Sequence, residues 1–318
     1  VREPGAPPRF RLLETTRADA TARLAAHGEL GPVRRRHAEA VEARLRATAH
    51  AVEGGETSTD RAYATLAPDQ DNLRAAFAWA RQAGERRLAI SLAAHSLQLM
   101  IQLERLDELQ HWLDAIEGWV DDEPDTALRA RYRMCTGQPP PAPGGMTAER
   151  TRRHLEQAST DLERLGDERM LAWALGIRAF FEYRCGASDQ AAALLARARA
   201  LARPDWPAWL NGTLAVFGTA VISGRDYAAS TAAWREAVAH CRAAGHSRGV
   251  AVATHNLMAS CLMTGHLAEA VELGRPWLDG SAGVLSSTLA SQYASMLVYA
   301  LAVTGDLAAA QSTARQAL

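Results

Sequence analysis

Apolar and small residues gather along this chain in helix-length blocks that recur at a nearly fixed distance. Two blocks, Trp206–Gly224 and Gly280–Gly305, contain no charged residue at all. Their length would suit a bilayer core of about 30 Å. Pro207, Asn211, Gly212 and Gly218 interrupt the first, and Ser286, Ser287, Thr288, Ser291, Gln292 and Ser295 the second, so both are expected to be buried helices of a soluble array. Four glycines close helical stretches and are followed five positions on by alanine: Gly186 by Ala191, Gly224 by Ala229, Gly265 by Ala270, and Gly305 by Ala310. The spacings are 38, 41 and 40 residues. The matching upstream position lies near Glu104, 82 residues before Gly186, which is two periods of 41. The repeat between them would turn in Gly137–Gly145, where Pro139, Pro140, Pro141 and Pro143 exclude a helix.

This phase predicts five or six units of about forty residues after residue 85. In each, a first helix ends near the glycine, which tolerates the positive φ of a chain reversal, and a second helix starts directly after it. The small residue five positions on marks where two helices approach closely. The expected fold is all-α: a right-handed superhelix of antiparallel helix pairs.

Composition agrees. Alanine, the best helix former, fills about a fifth of the 318 residues, while isoleucine and phenylalanine occur five times each. All 35 basic residues are arginine, which excludes a phosphate-loop lysine, a Schiff base and a lysine general base. A net charge of −1 argues against a protein that coats nucleic acid. Cys135, Cys185, Cys241 and Cys261 stand singly, without metal-ligand spacing, and are expected as small buried residues. Residues 1–10 carry no apolar signal core, so a cytoplasmic location is the default expectation.

The unit Ala253-Thr-His255-Asn256-Leu257-Met258-Ala259-Ser-Cys261-Leu262-Met263-Thr-Gly265-His-Leu267-Ala-Glu-Ala270 resembles the tetratricopeptide pattern. Gly305-Asp-Leu307-Ala-Ala-Ala310 repeats its opening, and Arg225-Asp-Tyr227 is a one-residue variant. A period near forty, longer than the usual 34, resembles the superhelical sensor region of MalT-like regulators. At the front, Arg9-Phe10-Arg11-Leu12-Leu13-Glu14-Thr15-Thr16-Arg17 followed by Ala18 and Arg23-Leu24 resembles the junction that closes the winged-helix segment of STAND-type ATPases. Arg34-Arg35-Arg36-His37 and the run Asp71–Ala80 resemble two later landmarks of that family. Asp19 departs from it, standing where an aromatic residue is usual. The residues themselves predict an amphipathic first helix with Leu12, Leu13, Ala20 and Leu24 towards the core. The resemblance implies the C-terminal, effector-sensing part of a large transcriptional regulator of the LuxR-type or SARP kind. On that reading residues 1–55 are a junction with linking helices and 56–318 the repeat array. The implied partners are an effector in the concave groove and an upstream nucleotide-binding core, with no direct nucleic-acid or membrane contact. The helix Ala308–Leu318 stops without a cap or polar outer face, which suggests a fragment.

No nucleophile, metal or dinucleotide motif occurs, no cofactor is expected, and an enzymatic role for this chain is not. Asp121, Asp122 and Glu123 precede Pro124 and are expected as solvated turn residues; His240, His246 and His255 would not share a helix face. Arg34–Arg36 and Arg150-x-Arg152-Arg153-His154 lack interleaved aromatics and read as solvated or interdomain faces. Counting back from each glycine places Trp173, Gly176, Phe180, Tyr183 and Arg184 inward on one unit, then Asn211, Leu214, Gly218 and Val221, then Val252, His255, Ala259 and Leu262. Gln292, Ser295, Tyr299 and Ala302 follow in the last. Of these, Trp173, Tyr183, Arg184, Asn211, His255, Gln292 and Tyr299 are the candidate partner-binding residues, Trp173 and Phe180 being equally readable as inter-repeat core. The alternative function is a free-standing scaffold that binds a protein or peptide.

Overall fold

A computed structural model describes residues 2–3, 9–10, 13–137, 147–223, 227–283 and 287–317. A two-residue antiparallel ladder, Arg2–Glu3 against Arg9–Phe10, precedes an otherwise helical chain. Helix α1 (Glu14–Ala26) leads to the long α2 (Leu30–Glu53), the short α3 (Thr59–Ala64) and α4 (Gln70–Gln82). Six helix pairs follow among the described residues. The first joins α5 (Arg86–His95) and α6 (Leu97–Gln102) to α7 (Leu106–Ile116), and the second joins α8 (Thr126–Cys135) to α9 (Ala148–Leu165). Then come α10 (Glu168–Arg184) with α11 (Ser188–Leu201), α12 (Ala208–Ser223) with α13 (Tyr227–Ala243), α14 (Ser247–Met263) with α15 (Leu267–Leu278), and α16 (Ser287–Val303) with α17 (Leu307–Ala317). First helices begin at 86, 126, 168, 208, 247 and 287, a period of 39 to 42 residues.

The turn chemistry explains the regularity. Gly186, Gly265 and Gly305 adopt φ of +83°, +78° and +90°, which a side chain rarely allows. Ala191 and Ala270 behind them are wholly buried, and Ala310 nearly so. Gly224 and, of the expected turn Gly137–Gly145, all residues after Gly137 lie outside the described residues. Glu104 occupies the same place in the first pair and takes the left-handed conformation as a non-glycine, φ +55°. Helix starts are fixed locally by Ser58, Asp125, Thr147 and Asp167, whose side chains accept from backbone N–H groups three residues on.

The core begins on α2 and runs without a break to α12, continuing in smaller clusters through α17. Arginine–carboxylate pairs tie helices across it: Arg131 holds Glu53 through two bonds of 2.6 Å, Arg133 meets Asp161 at 2.8 Å, and Arg152 meets the fully buried Glu182. Of the acidic run after α7, Asp121 and Asp122 are exposed turn residues, as expected, and pair with Arg133 and Arg86, but Glu123 is buried and accepts from Arg87 at 2.6 Å, because α5 brings Arg87 over the loop. Helix α1 also differs from expectation. It has no buried residue, Leu13 is 60% exposed, and Ala20 and Leu24 are only half-buried, with α2 as the main neighbour of the helix. With so few apolar positions it cannot compete for core space; Leu12 lies outside the described side chains.

Two distant parts of the superhelix meet. Gly55, after α2, packs on Pro207 ahead of α12, and Gly245 lies against Ser58. His246 provides no side-chain cap for α14; Asp60, 187 residues earlier, accepts from Ser247 N–H at 2.8 Å and from its hydroxyl at 2.6 Å. Helix N-termini need such acceptors, and here a distant turn supplies one. Arg248 completes the clasp by pairing with Glu104 at 2.6 Å.

Candidate functional site

The clasp holds α2 across the inner side of the array, and a cavity of about 890 Å³ opens beneath it. Its polar wall comes from one face of α2, where Glu39, Glu42, Arg46, His50 and Glu53 recur three or four residues apart. The other face of that helix buries Ala38, Leu45, Ala49 and Val52. Ser91 and His95 of α5 extend the polar wall. The opposite side is apolar: Leu128, Leu162, Met170, Trp209 and Leu210. Arg169 sits at the exposed rim.

The polar wall is closely wired. Arg46 Nε donates to Glu42 Oε1 at 2.9 Å, and Ser91 Oγ donates to the same oxygen at 2.6 Å. With its proton committed there, Ser91 leaves the His95 Nδ1–H to donate to the Ser91 carbonyl at 2.9 Å. Ser91 therefore lacks the hydroxyl-to-imidazole bond of an activated serine nucleophile. Burial, then the Arg131 cation, pushes His95 down to about 3, so the ring is neutral and Nε2 carries a lone pair. His50 meets it edge-on, ring centroids 5.6 Å apart. Behind His95 a void of about 10 Å³, room for one water, reaches Trp173 and Cys135.

None of the seven candidate residues read from the sequence lines the large cavity. Trp173 is 3% exposed and meets Trp209 edge-on, and Phe180 stacks on Phe217. Gly176 lies where any side chain would strike Phe217 and Leu214. These positions fall on the face where first helices of adjacent units stack on one another. His255 is in the same stack, edge-on to Tyr293, and burial lowers its pKa. Asn211 donates to the Trp206 carbonyl at 3.3 Å, closing the turn before α12. Tyr183 is half-buried against the core, and Arg184 is exposed over the Phe180 ring. Gln292 and Tyr299 are exposed on α16, far from Trp173 along the chain. The structure thus spreads the seven over several units.

The cavity residues carried a signal that is easily passed over. A charged stripe at helical spacing beside an apolar one reads as a solvated face, and only the position of α2 turns it inward. Among the described residues no group of histidine, cysteine and carboxylate side chains is placed to hold a metal ion, and no helix is long and apolar enough to cross a membrane. Cys135, Cys241 and Cys261 are buried, their thiols pushed up to about 12, 11 and 11, whereas Cys185 is exposed, contrary to expectation, because it follows the last turn of α10.

No family model and no curated protein matches the chain. Its fold is similar to the crystal structure of a STAND protein with a tetratricopeptide repeat sensor from Pyrococcus horikoshii, with a TM-score of 0.56 and 11% identity. The likeness covers 95% of this chain and 45% of that one, so the chain spans less than half its neighbour's length. At that identity the shared feature is the fold: an all-α array of tetratricopeptide-like helix pairs.

Proposed function

We propose that this chain is the non-catalytic sensing and interaction array of a larger bacterial transcriptional regulator acting in the cytoplasm. It takes an effector into the cavity beneath α2 and passes its occupancy to an attached ATPase switch. The observation that carries this reading is the preformed cavity itself, a concave site of ligand size enclosed by α2, α5, α8, α10 and α12. The fold likeness to a STAND protein's sensor and the front-end resemblance of residues 9–27 support it. An effector shifts the switch only if it binds two states of the array with different affinity. Helix α2 is suited to report that difference, since it forms one cavity wall and lies next to the front segment.

The test is made in the parent reading frame. Deleting residues 86–318 is expected to change resting ATP hydrolysis and oligomeric state, and Ala127→Trp, which adds an indole to the cavity lining from an exposed position, to block effector response. A reading frame without a phosphate loop upstream, or a deletion that changes neither property, would remove the regulator reading. In that case a scaffold that binds a protein partner takes its place. Met263, Tyr299, Val303 and Leu307, all more than half exposed near the end of the array, favour that second reading.

A further inference from the structure

Most charges that wall the cavity are paired already, the exposed Arg169 at its rim excepted. Arg46 pairs with Glu42, Arg131 with Glu53, Arg87 with Asp125, and Glu85 with Arg35 outside it. A charged ligand would have to break such a pair or leave its own charge partly desolvated. What the polar wall still offers at depth is an acceptor. His95 is 6% exposed, its Nδ1–H is committed to the Ser91 carbonyl, and its Nε2 lone pair has no protein partner among the described residues. Trp209, Leu210 and Met170 offer largely apolar surface on the other side, where the Trp209 Nε1–H is buried without a partner. The volume falls in the range of sites that enclose one small organic molecule.

We propose that the cavity binds an uncharged amphipathic small molecule, which donates a hydrogen bond to His95 Nε2 and lays an apolar ring or chain against Trp209, Leu210 and Met170. This rests on the reading of the cavity as an effector site. It adds the chemistry: one donor, no net charge, one apolar face.

Three probes of one ring system separate the possibilities by titration calorimetry on this chain: 2-naphthol, 2-methoxynaphthalene without the donor, and 2-naphthoate with a negative charge. The expected order is 2-naphthol tightest, with 2-methoxynaphthalene about fivefold weaker, the ratio typical of one net hydrogen bond. His95→Phe should erase that difference by weakening 2-naphthol alone, and His95→Gln, which keeps an acceptor, should restore part of it. Ala127→Trp should abolish binding of both, with far-ultraviolet circular dichroism confirming that each variant is folded. Tightest binding of 2-naphthoate, which would place the site at Arg169, overturns the proposal. So does equal affinity for naphthol and its methyl ether, binding by none of the probes, or an unchanged His95→Phe, which would assign Nε2 to the small void. The two readings fail separately. Probe binding without any effect on nucleotide state removes the regulator reading, and coupling without this probe order removes only the ligand class.

Discussion

Four histidines, His95, His154, His246 and His255, are held below the ordinary imidazole range, in each case first of all by burial. His95 falls to about 3, and His154, beside Arg133 and Arg150, to about 4. Each is neutral in the fold but takes up a proton near 6.5 once unfolded. Their contribution to stability is therefore complete above pH 6.5 and is lost as pH falls towards the folded values. Glu108 and Glu269, lowered by Arg74 and Arg235, add a loss that begins only below about 4.5. Acid weakening should thus begin near pH 6.5, at about 1 kcal/mol per pH unit for each fully titrating histidine. Urea unfolding at pH 7, 6 and 5 checks it, and His154→Phe should flatten the profile. His154 is a fair target because its Nδ1 is buried without a partner. A stability constant from pH 7 to 5 would mean that these rings are protonated in the fold.

At the scale of the element, the turn at Glu104 shows two demands in conflict. A left-handed non-glycine costs about 1–2 kcal/mol, yet the carboxylate earns its place by reaching Arg248. Glu104→Gly should change global stability by less than about 1 kcal/mol, since relief of strain is offset by glycine's extra unfolded freedom and the lost pair. Amide exchange at residues 245–249 should nevertheless speed up. Unchanged exchange there would mean that the pair does not hold the clasp. The same turn shows how far the sequence can be read. Glu104 was placed in phase with Gly186, Gly265 and Gly305 by spacing alone, because helix-pair repeats are built from local signals that recur. The forty-residue period and the buried alanines were legible for that reason. The cavity was not. Glu42, His50 and Glu53 face a cavity whose far side comes from units far away in sequence, next to turns where Gly55, Ser58 and Asp60 touch partners up to 187 residues away, and such contacts leave no periodic trace. Counting inward positions from each glycine found a true helix face, but Gly176 and Trp173 show that this face is used for stacking.

For the whole molecule, the clasp joins units that are far apart in sequence. A solenoid in which each unit touches only its neighbours bends easily, because small rotations at each interface add up. Here Asp60 on Ser247 and Glu104 on Arg248 bind the fifth helix pair to the turns after α2 and α6, and Gly55 packs on Pro207, two residues before Trp209. These are half-exposed polar contacts, worth about 1 kcal/mol each. They add little to total stability but are large against the cost of bending. The double variant Asp60→Ala with Arg248→Ala should therefore leave the melting temperature within a few degrees of the parent. Its radius of gyration by small-angle scattering should rise, and amide protection should fall on the α2 face that carries Glu42 and His50. Affinity for 2-naphthol should fall in parallel, since the clasp ties the α2 side that carries the polar wall to the α12 side that carries Trp209 and Leu210. Scattering and protection that both match the parent protein would show that core packing of α2 on α4 and α5 positions the helix unaided, and the distant contacts would then be a consequence of that packing.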